Sequence, residues 1–194
     1  MLETRNSNGL DQFCSSLQER SGMAILDLAG ANQSTVSFIT NYGHRLYSDD
    51  FLLQLDHCFG QGDFYENQTN PRTIDTFLST ALDFPDGAFD GALVWDVLEY
   101  LSPALLTIVV GKLRAMLRPG SSLLAVFHNE ERAETVPSYS FRIQGHRTIQ
   151  LAARGRRQPA QFFNNRSLEK LFQDFESVKF FLTRDHLREV IVRR

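Results

Sequence analysis

The stretch from residue 23 to residue 50, MAILDLAGANQSTVSFITNYGHRLYSDD, constrains the fold of this chain more than any other segment. A short apolar run ends at Asp27, a turn of small residues follows, and helical periodicity then leads to a second short run that ends at Asp50. This order predicts strand, turn, helix and strand, with a carboxylate at the end of each strand. In doubly wound sheets such a unit binds a nucleoside, because the turn and the helix N-terminus approach the ligand and the second acid holds ribose hydroxyls.

Two further blocks follow this unit at the spacing of a chain that alternates strands and helices. Residues 82–101, LDFPDGAFDGALVWDVLEYL, contain a nearly continuous apolar run at 89–95 that predicts a parallel strand covered on both faces. Residues 112–129, KLRAMLRPGSSLLAVFHN, predict the end of a helix, a Pro-Gly turn and a strand at 122–127. Together with the first unit, these blocks resemble the class I S-adenosylmethionine-dependent methyltransferases of the type 11 kind, with a degenerate glycine motif.

The resemblance implies an α/β, Rossmann-like class I methyltransferase fold, in which a mostly parallel seven-stranded sheet has helices on both faces. We expect the third strand at 73–78 and an antiparallel closing hairpin from the alternating runs at 177–182 and 189–193. A single domain over residues 1–194 is expected, because 42% apolar and 22% charged residues are typical of a globular chain of this length. Apolar residues at helical spacing predict helices at 10–20, 33–42, 51–59, 102–117 and 167–175.

The resemblance implies S-adenosylmethionine as the cofactor, bound at the turn after the first predicted strand and at the ends of neighbouring strands. In the family this turn carries three alternating glycines, whereas this chain has two alanines and a glutamine there, and its one glycine, Gly30, lies one place out of register. A methyl group at either alanine could block a left-handed backbone conformation or fill space that the methionine part of the cofactor needs. The residues assigned to the cofactor are Asp27, Ala29, Gly30, Ala31, Asn32, Asp50, Trp95 and Asp96.

The two acids of the first unit each have a structural alternative. Asp50 either holds the ribose or caps the helix that follows it, and Asp49 could exchange these roles with it. Asp27 could hold turn amides or the amino group of the ligand, or it could be a buried acceptor that fixes the loop by hydrogen bonds, and both roles could be true.

The ends of the next two strands supply candidates for the methyl-transfer pocket. Trp95, Asp96 and Tyr100 lie where open α/β sheets bind ligands, although Trp95 could equally belong to the core. His128 could act as a general base, but a lone histidine is more often a surface or capping residue. No catalytic residue is assigned, because methyl transfer from a sulfonium depends mainly on aligning donor and acceptor in a desolvated pocket.

A cationic insertion separates the fifth predicted strand from the last helix. Residues 135–168 contain six arginines and no acid, so for a chain with a net charge of -3 the remaining residues sum to -9. One interpretation is a substrate lid for an anionic acceptor, and the alternative is a solvated surface whose arginines pair with acids elsewhere. Interleaved aromatic residues also permit nucleic-acid stacking, which we favour less. The arginines are Arg142, Arg147, Arg154, Arg156, Arg157 and Arg166.

The composition predicts where the protein resides in the cell and whether its cysteines bind a metal. No apolar stretch approaches the length of a bilayer span, and the first residues lack the layout of a signal peptide, so we expect a soluble, cytoplasmic protein without a membrane partner. Cys14 and Cys58 have no CxxC spacing, so neither a disulfide framework nor a metal site is expected.

Three functions follow from these patterns. The first, which we favour, is an enzyme that transfers a methyl group from S-adenosylmethionine to a small-molecule acceptor, an anionic one if the arginines contact it. The second is a methyltransferase-fold protein that has lost its cofactor and serves in binding or assembly. The third is a nucleic-acid-binding or modifying protein that uses the arginines.

Overall fold

The alternating strands and helices predicted from the sequence form the centre of the protein. We describe a computed structural model in which residues 2–130, 133–183 and 186–194 are defined. The strands are β1 (Leu2–Asn6), β2 (Ala24–Asp27), β3 (Arg45–Ser48), β4 (Phe89–Trp95), β5 (Leu117–His128), β6 (Val136–Gly145), β7 (Thr148–Arg157), β8 (Ser177–Leu182) and β9 (Leu187–Arg193). The helices are α1 (Asn8–Leu17), α2 (Gln33–Asn41), α3 (Phe51–Phe59), α4 (Phe64–Asn67), α5 (Pro71–Ala81), α6 (Pro103–Met116) and α7 (Asn165–Leu171).

The larger sheet contains six strands in the order β3-β2-β4-β5-β9-β8. The first four of these run parallel, and β9 lies antiparallel between β5 and β8. The predicted closing hairpin is therefore present. Because the parallel strands end at one edge, Asp27 lies in register with Ser48 of β3 and with Leu93 of β4.

The predicted strand at 73–78 is wrong, because this segment belongs to helix α5. Asn70 accepts a hydrogen bond from the backbone nitrogen of Arg72, and Pro71 occupies the first helical position, where its missing N–H costs nothing. The sheet consequently has six strands instead of the seven expected. Helical spacing outweighs the local β-branched composition, since one face of α5 is buried through Ile74, Phe77, Leu78 and Ala81.

The cationic insertion forms an antiparallel hairpin, β6–β7, and this hairpin belongs to a second sheet with the order β1-β7-β6. The sequence did not predict the pairing of β1 with β7, in which Leu2 lies opposite Ala152. The last helix begins earlier than expected, at Asn165, because Asn164 and Ser167 form a reciprocal capping box. The structure therefore adds a three-stranded sheet to the six-stranded one.

Two apolar clusters lie on opposite faces of the larger sheet. Successive residues of β2 and β4 alternate between the clusters, as expected for strands covered on both sides. Helices α3, α5, α6 and α7 pack on one face, and α1, α2 and the three-stranded sheet pack on the other. Residues of the second cluster include Leu10, Phe13, Ile25, Ile39, Leu93, Trp95, Phe141, Ile149 and Leu151.

A buried carboxylate ties the N-terminal segment to the larger sheet. Glu189 of β9 is 1% exposed, and its Oε2 accepts a hydrogen bond of 2.7 Å from the backbone nitrogen of Gly9. Its Oε1 accepts one of 2.8 Å from the guanidinium of Arg5 in β1. Gly9 lies close to these side chains, since a Cβ there would lie 2.8 Å from Leu124 Cδ1 and 3.0 Å from Glu189 Oε2 and would require one of them to shift. This contact therefore holds β1 and α1 in place.

We predict that Glu189→Ala lowers the free energy of unfolding by about 3 to 5 kcal/mol, because it removes a buried carboxylate that accepts from both the Arg5 guanidinium and the Gly9 backbone nitrogen. Urea denaturation measures this change. The matched control is Glu176→Ala, which removes an exposed carboxylate 3.5 Å from Arg193 and should cost less than about 1 kcal/mol. Equal losses in the two variants would contradict the structural role of Glu189.

Candidate functional site

Asp27 lies at the carboxyl end of β2 and is fully buried. Its Oδ1 accepts hydrogen bonds from Trp95 Nε1 at 2.7 Å and from the backbone nitrogen of Ala29 at 3.1 Å, whereas its Oδ2 is buried without a partner. Burial raises the pKa of this carboxyl to about 6, and the two hydrogen bonds oppose that rise. The structure thus realises the alternative in which Asp27 fixes the turn, and it leaves one carboxylate oxygen unsatisfied.

The single glycine of the turn occupies the one position that requires it. Gly30 has a φ of 83°, and a Cβ there would lie 3.2 Å from Asp50 Cβ. Its backbone nitrogen donates a hydrogen bond of 3.0 Å to the carbonyl oxygen of Asp49. The unusual register of the glycine therefore follows from the close contact between this turn and the segment after β3. Helix α2 then begins with Asn32 as its N-cap, as predicted.

Asp50 is the N-cap of α3, since its Oδ1 accepts a hydrogen bond of 3.1 Å from the backbone nitrogen of Leu53. Both carboxylate oxygens also accept hydrogen bonds from Arg154 of β7, at 3.0 and 2.7 Å. The capping alternative considered for Asp50 is thus realised. The ribose role of Asp50 stays a prediction, and it requires Arg154 to move.

Trp95 and Asp96 lie beneath the hairpin. Trp95 is fully buried with a φ of 59°, a conformation that costs energy for a bulky residue and that marks functional sites. Its ring stacks on Phe141 of β6 with centroids 4.6 Å apart and planes 12° from parallel. Asp96 Oδ2 accepts a hydrogen bond of 3.2 Å from the backbone nitrogen of Tyr139, and burial raises the pKa of Asp96 to about 7. The side chains of Trp95 and Asp96 are both buried.

A buried acid and a histidine form a pair that sequence reasoning did not assemble. Glu99 Oε2 lies 2.7 Å from His128 Nδ1, and both residues are at most 4% exposed. Burial raises the pKa of Glu99; burial would lower the pKa of His128, but the Glu99 carboxylate beside it raises that pKa overall. His128 Nε2 is buried without a partner. Glu99 carried no sequence signal, because it lies in a short 3-10 turn after β4.

A cavity of about 310 Å³ lies between the turn after β2, the end of β3 and the edge of β6. It brings together five of the eight residues predicted to bind the cofactor, whereas Asp27, Trp95 and Asp96 are buried beside it. Its volume falls at the lower end of the range for small-molecule sites. The lining consists of Ala29, Gly30, Ala31, Asn32, Ser48, Asp49, Asp50, Ser140, Phe141, Arg142 and Arg154.

Two arginines of β7 fasten the hairpin to α3. Arg154 binds Asp50, and both terminal guanidinium nitrogens of Arg157 donate to Asp56. Residues three apart on a regular strand point to opposite faces, but the β6–β7 ladder shifts register at Arg154, and a bulge of this kind re-aims a side chain. The pairing with acids that was the alternative for the cationic insertion therefore holds for these two arginines.

The described residues contain a second cavity, but neither a cluster of metal ligands nor a helix able to span a membrane. A cavity of about 370 Å³ between α6 and α7 shares no residue with the predicted site. Residues 2–130, 133–183 and 186–194 contain no group of three histidine, cysteine or acidic side chains that could hold a metal ion. None of the helices in these ranges is both long and apolar enough to cross a membrane.

Comparisons with known proteins bear on the fold. No protein-family model matches the chain, and a search of curated proteins finds no match. The chain is similar to a crystal structure of the Burkholderia thailandensis 1,6-didemethyltoxoflavin-N1-methyltransferase, which contains 1,6-didemethyltoxoflavin and S-adenosylhomocysteine. The two chains are 12% identical with a TM-score of 0.52, over 97% of this chain and 79% of that one.

Two archaeal structures show the same likeness. A SAM-dependent methyltransferase from Archaeoglobus fulgidus is 13% identical, with a TM-score of 0.54 over 95% of this chain and 91% of that one. Another from Methanosarcina mazei is 15% identical, with a TM-score of 0.51 over 90% of this chain and 93% of that one. At these identities the likeness establishes the fold. The chain has the fold of these methyltransferases, as the resemblance in sequence predicts for its architecture.

The buried carboxyl of Asp27 predicts a pH dependence of stability. Because its pKa is raised from 3.8 to about 6 on folding, the folded state binds the proton more tightly. The resulting stabilisation, about 3 kcal/mol, is complete below pH 4 and is lost as the pH rises through 6. Asp27→Asn should remove this contribution because an amide does not titrate, while Asp96 continues to contribute its own. The amide oxygen of asparagine can still accept from Trp95 and Ala29, so the fold should be kept.

Urea unfolding at pH 4, 5.5 and 7 tests this expectation. The control Asp63→Asn changes an exposed N-cap of α4 to another good capping residue, and it should keep the wild-type dependence. A profile for Asp27→Asn that parallels the wild type would show that Asp27 is not the titrating group.

Proposed function

We propose that this chain is an S-adenosylmethionine-dependent methyltransferase with a small-molecule acceptor, and that the cavity beside the turn after β2 holds the cofactor. The observation that carries the proposal is the convergence of that turn, the N-terminus of α2 and Asp50 on one cavity at the carboxyl edge of the sheet. Nucleosides bind at this edge in doubly wound sheets. The fold shared with methyltransferases supports the assignment.

The residues around the cavity fit the adenosyl part of the cofactor. The first turn of α2 has backbone N–H groups without intrahelical acceptors, and Gly30 allows close approach to the turn. Asp50 would hold the ribose hydroxyls once Arg154 releases it. S-adenosylmethionine, when bound, supplies an electrophilic methyl group on a sulfonium.

The hairpin would exclude water from the reaction. Phe141 seals the end of β4 by stacking on Trp95, and Tyr139 closes over Asp96 through its backbone nitrogen. Glu99 orients the His128 ring through Nδ1, which leaves Nε2 as the nitrogen able to take a proton from an acceptor. Opening of the hairpin is thus part of the proposed cycle, as for other active-site lids.

We propose that the acceptor of the methyl group is a small molecule. The Burkholderia thailandensis enzyme acts on 1,6-didemethyltoxoflavin, which supports a small-molecule acceptor here. An anionic acceptor draws less support from the arginines, because Asp50 and Asp56 already neutralise two of them. Nucleic-acid stacking is disfavoured because Phe141 and Phe163 are buried.

A second candidate is a methyltransferase-fold protein without cofactor, used for binding or assembly. The bidentate pair between Asp50 and Arg154 favours it, because the carboxylate that would grip the ribose is already bound. Trp95 and Tyr100 are both fully buried, which also favours a site without cofactor. Cofactor binding decides between the candidates.

We predict that refolded, ligand-free protein binds S-adenosylmethionine and S-adenosylhomocysteine in isothermal titration. Arg154→Gln should raise both affinities by up to about 5-fold, because it frees Asp50 from a partly exposed bidentate pair. Arg156→Gln is the matched control, since its guanidinium contacts Thr135 and lies outside the cavity. If neither the wild type nor Arg154→Gln binds either ligand, the cofactor-free candidate takes precedence.

Asp50→Asn separates the two roles of this residue. Asparagine caps helices as well as aspartate does, so the free energy of unfolding should change by less than about 1 kcal/mol. Affinity for S-adenosylhomocysteine should fall at least about 10-fold, because charge-assisted hydrogen bonds to the ribose are lost. Unchanged affinity together with a large loss of stability in urea denaturation would identify Asp50 as a structural cap alone.

A further inference from the structure

Arg142 differs from the other arginines that the hairpin carries. Within the described residues, Arg154 and Arg157 bind acids, and Arg147 donates to the side chain of Asn8. The guanidinium of Arg142 forms no hydrogen bond or ion pair with any described residue, yet it is partly buried in the lining of the cavity. A guanidinium that loses water without gaining an acceptor is destabilising unless a ligand supplies the acceptor.

The charges around the cavity leave Arg142 uncompensated. Asp50 is paired with Arg154, and Asp49 accepts a hydrogen bond from Gln54. Four charged side chains therefore line the cavity and sum to zero, but only Arg142 and Asp49 lack an opposite charge in contact. An anionic group on the ligand would give Arg142 the opposite charge that it lacks.

The backbone places Arg142 on the α2 side of the cavity. The carbonyl oxygen of Phe141 accepts from Asn32 Nδ2 at 3.2 Å, and the backbone nitrogen of Ile143 donates to Thr35 Oγ1 at 3.0 Å. The residues before and after Arg142 are thus both fixed to the first turn of α2. Asp50 lies against Gly30 on the α3 side, so the two charged groups stand on different sides of the turn.

We propose that Arg142 binds the carboxylate of the amino-acid part of S-adenosylmethionine, while Asp50 holds the ribose. This rests on the proposed cofactor. A ligand with its ribose at Asp50 extends along the turn toward α2, where its carboxylate meets both the guanidinium of Arg142 and the first amides of the helix. The cationic insertion thereby supplies a cofactor-binding side chain to the cavity.

The test compares ligands with and without that carboxylate. Arg142→Gln should weaken binding of S-adenosylmethionine and S-adenosylhomocysteine about 10- to 100-fold, as expected for loss of a charged hydrogen bond. Binding of 5′-methylthioadenosine, which lacks the amino-acid part, should change less than about 2-fold. Arg142→Lys should restore part of the loss, and Arg156→Gln should leave all three affinities unchanged.

The outcomes distinguish the inference from the function on which it rests. If Arg142→Gln loses the same affinity for all three ligands, Arg142 has a structural role. If it loses affinity for none of them, Arg142 does not contact the ligand. Either result overturns the inference while the cofactor assignment stands. If the wild type binds none of the three ligands, the proposed function itself fails. Thermal unfolding of each variant shows whether Arg142→Gln and Arg142→Lys retain the wild-type fold.

Discussion

The contact between Trp95 and Phe141 joins the two sheets, and the rest of the candidate site is arranged around it. Trp95 adopts a left-handed backbone conformation at the end of β4, which directs its ring across the carboxyl end of β2. The ring nitrogen satisfies one oxygen of Asp27, and the ring face supports Phe141. Stacked aromatic pairs add about 1 kcal/mol to the burial of their area, so the strain at Trp95 is offset by packing and by the hydrogen bond.

Local sequence patterns predicted the central unit closely because the forces that define it are local. The strand that ends at Asp27 is specified by a short continuous apolar run, and the helix that follows is specified by its cap at Asn32 and by its helical spacing. Helix α5 was missed because its short apolar face was interpreted as a strand. The signal that could have identified it is the Asn-Pro pair at 70–71, which is typical of a helix start.

Contacts between distant segments could not be predicted from sequence. Arg154 is 104 residues from Asp50, and neither residue carries a pattern that would select the other. The pairing of β1 with β7 joins the N-terminal segment to a strand far along the chain through backbone hydrogen bonds, which have no side-chain signature. The composition indicated only that the six arginines of the insertion needed compensation from acids elsewhere.

The contacts that close the cavity differ in strength, and this difference suggests how it opens. Phe141 is 2% exposed and belongs to the apolar cluster beneath the hairpin, so moving it would expose buried area. The pairs of Arg154 with Asp50 and of Arg157 with Asp56 are partly exposed, and such pairs contribute about 1 kcal/mol or less. Local opening therefore costs least along β7 at α3.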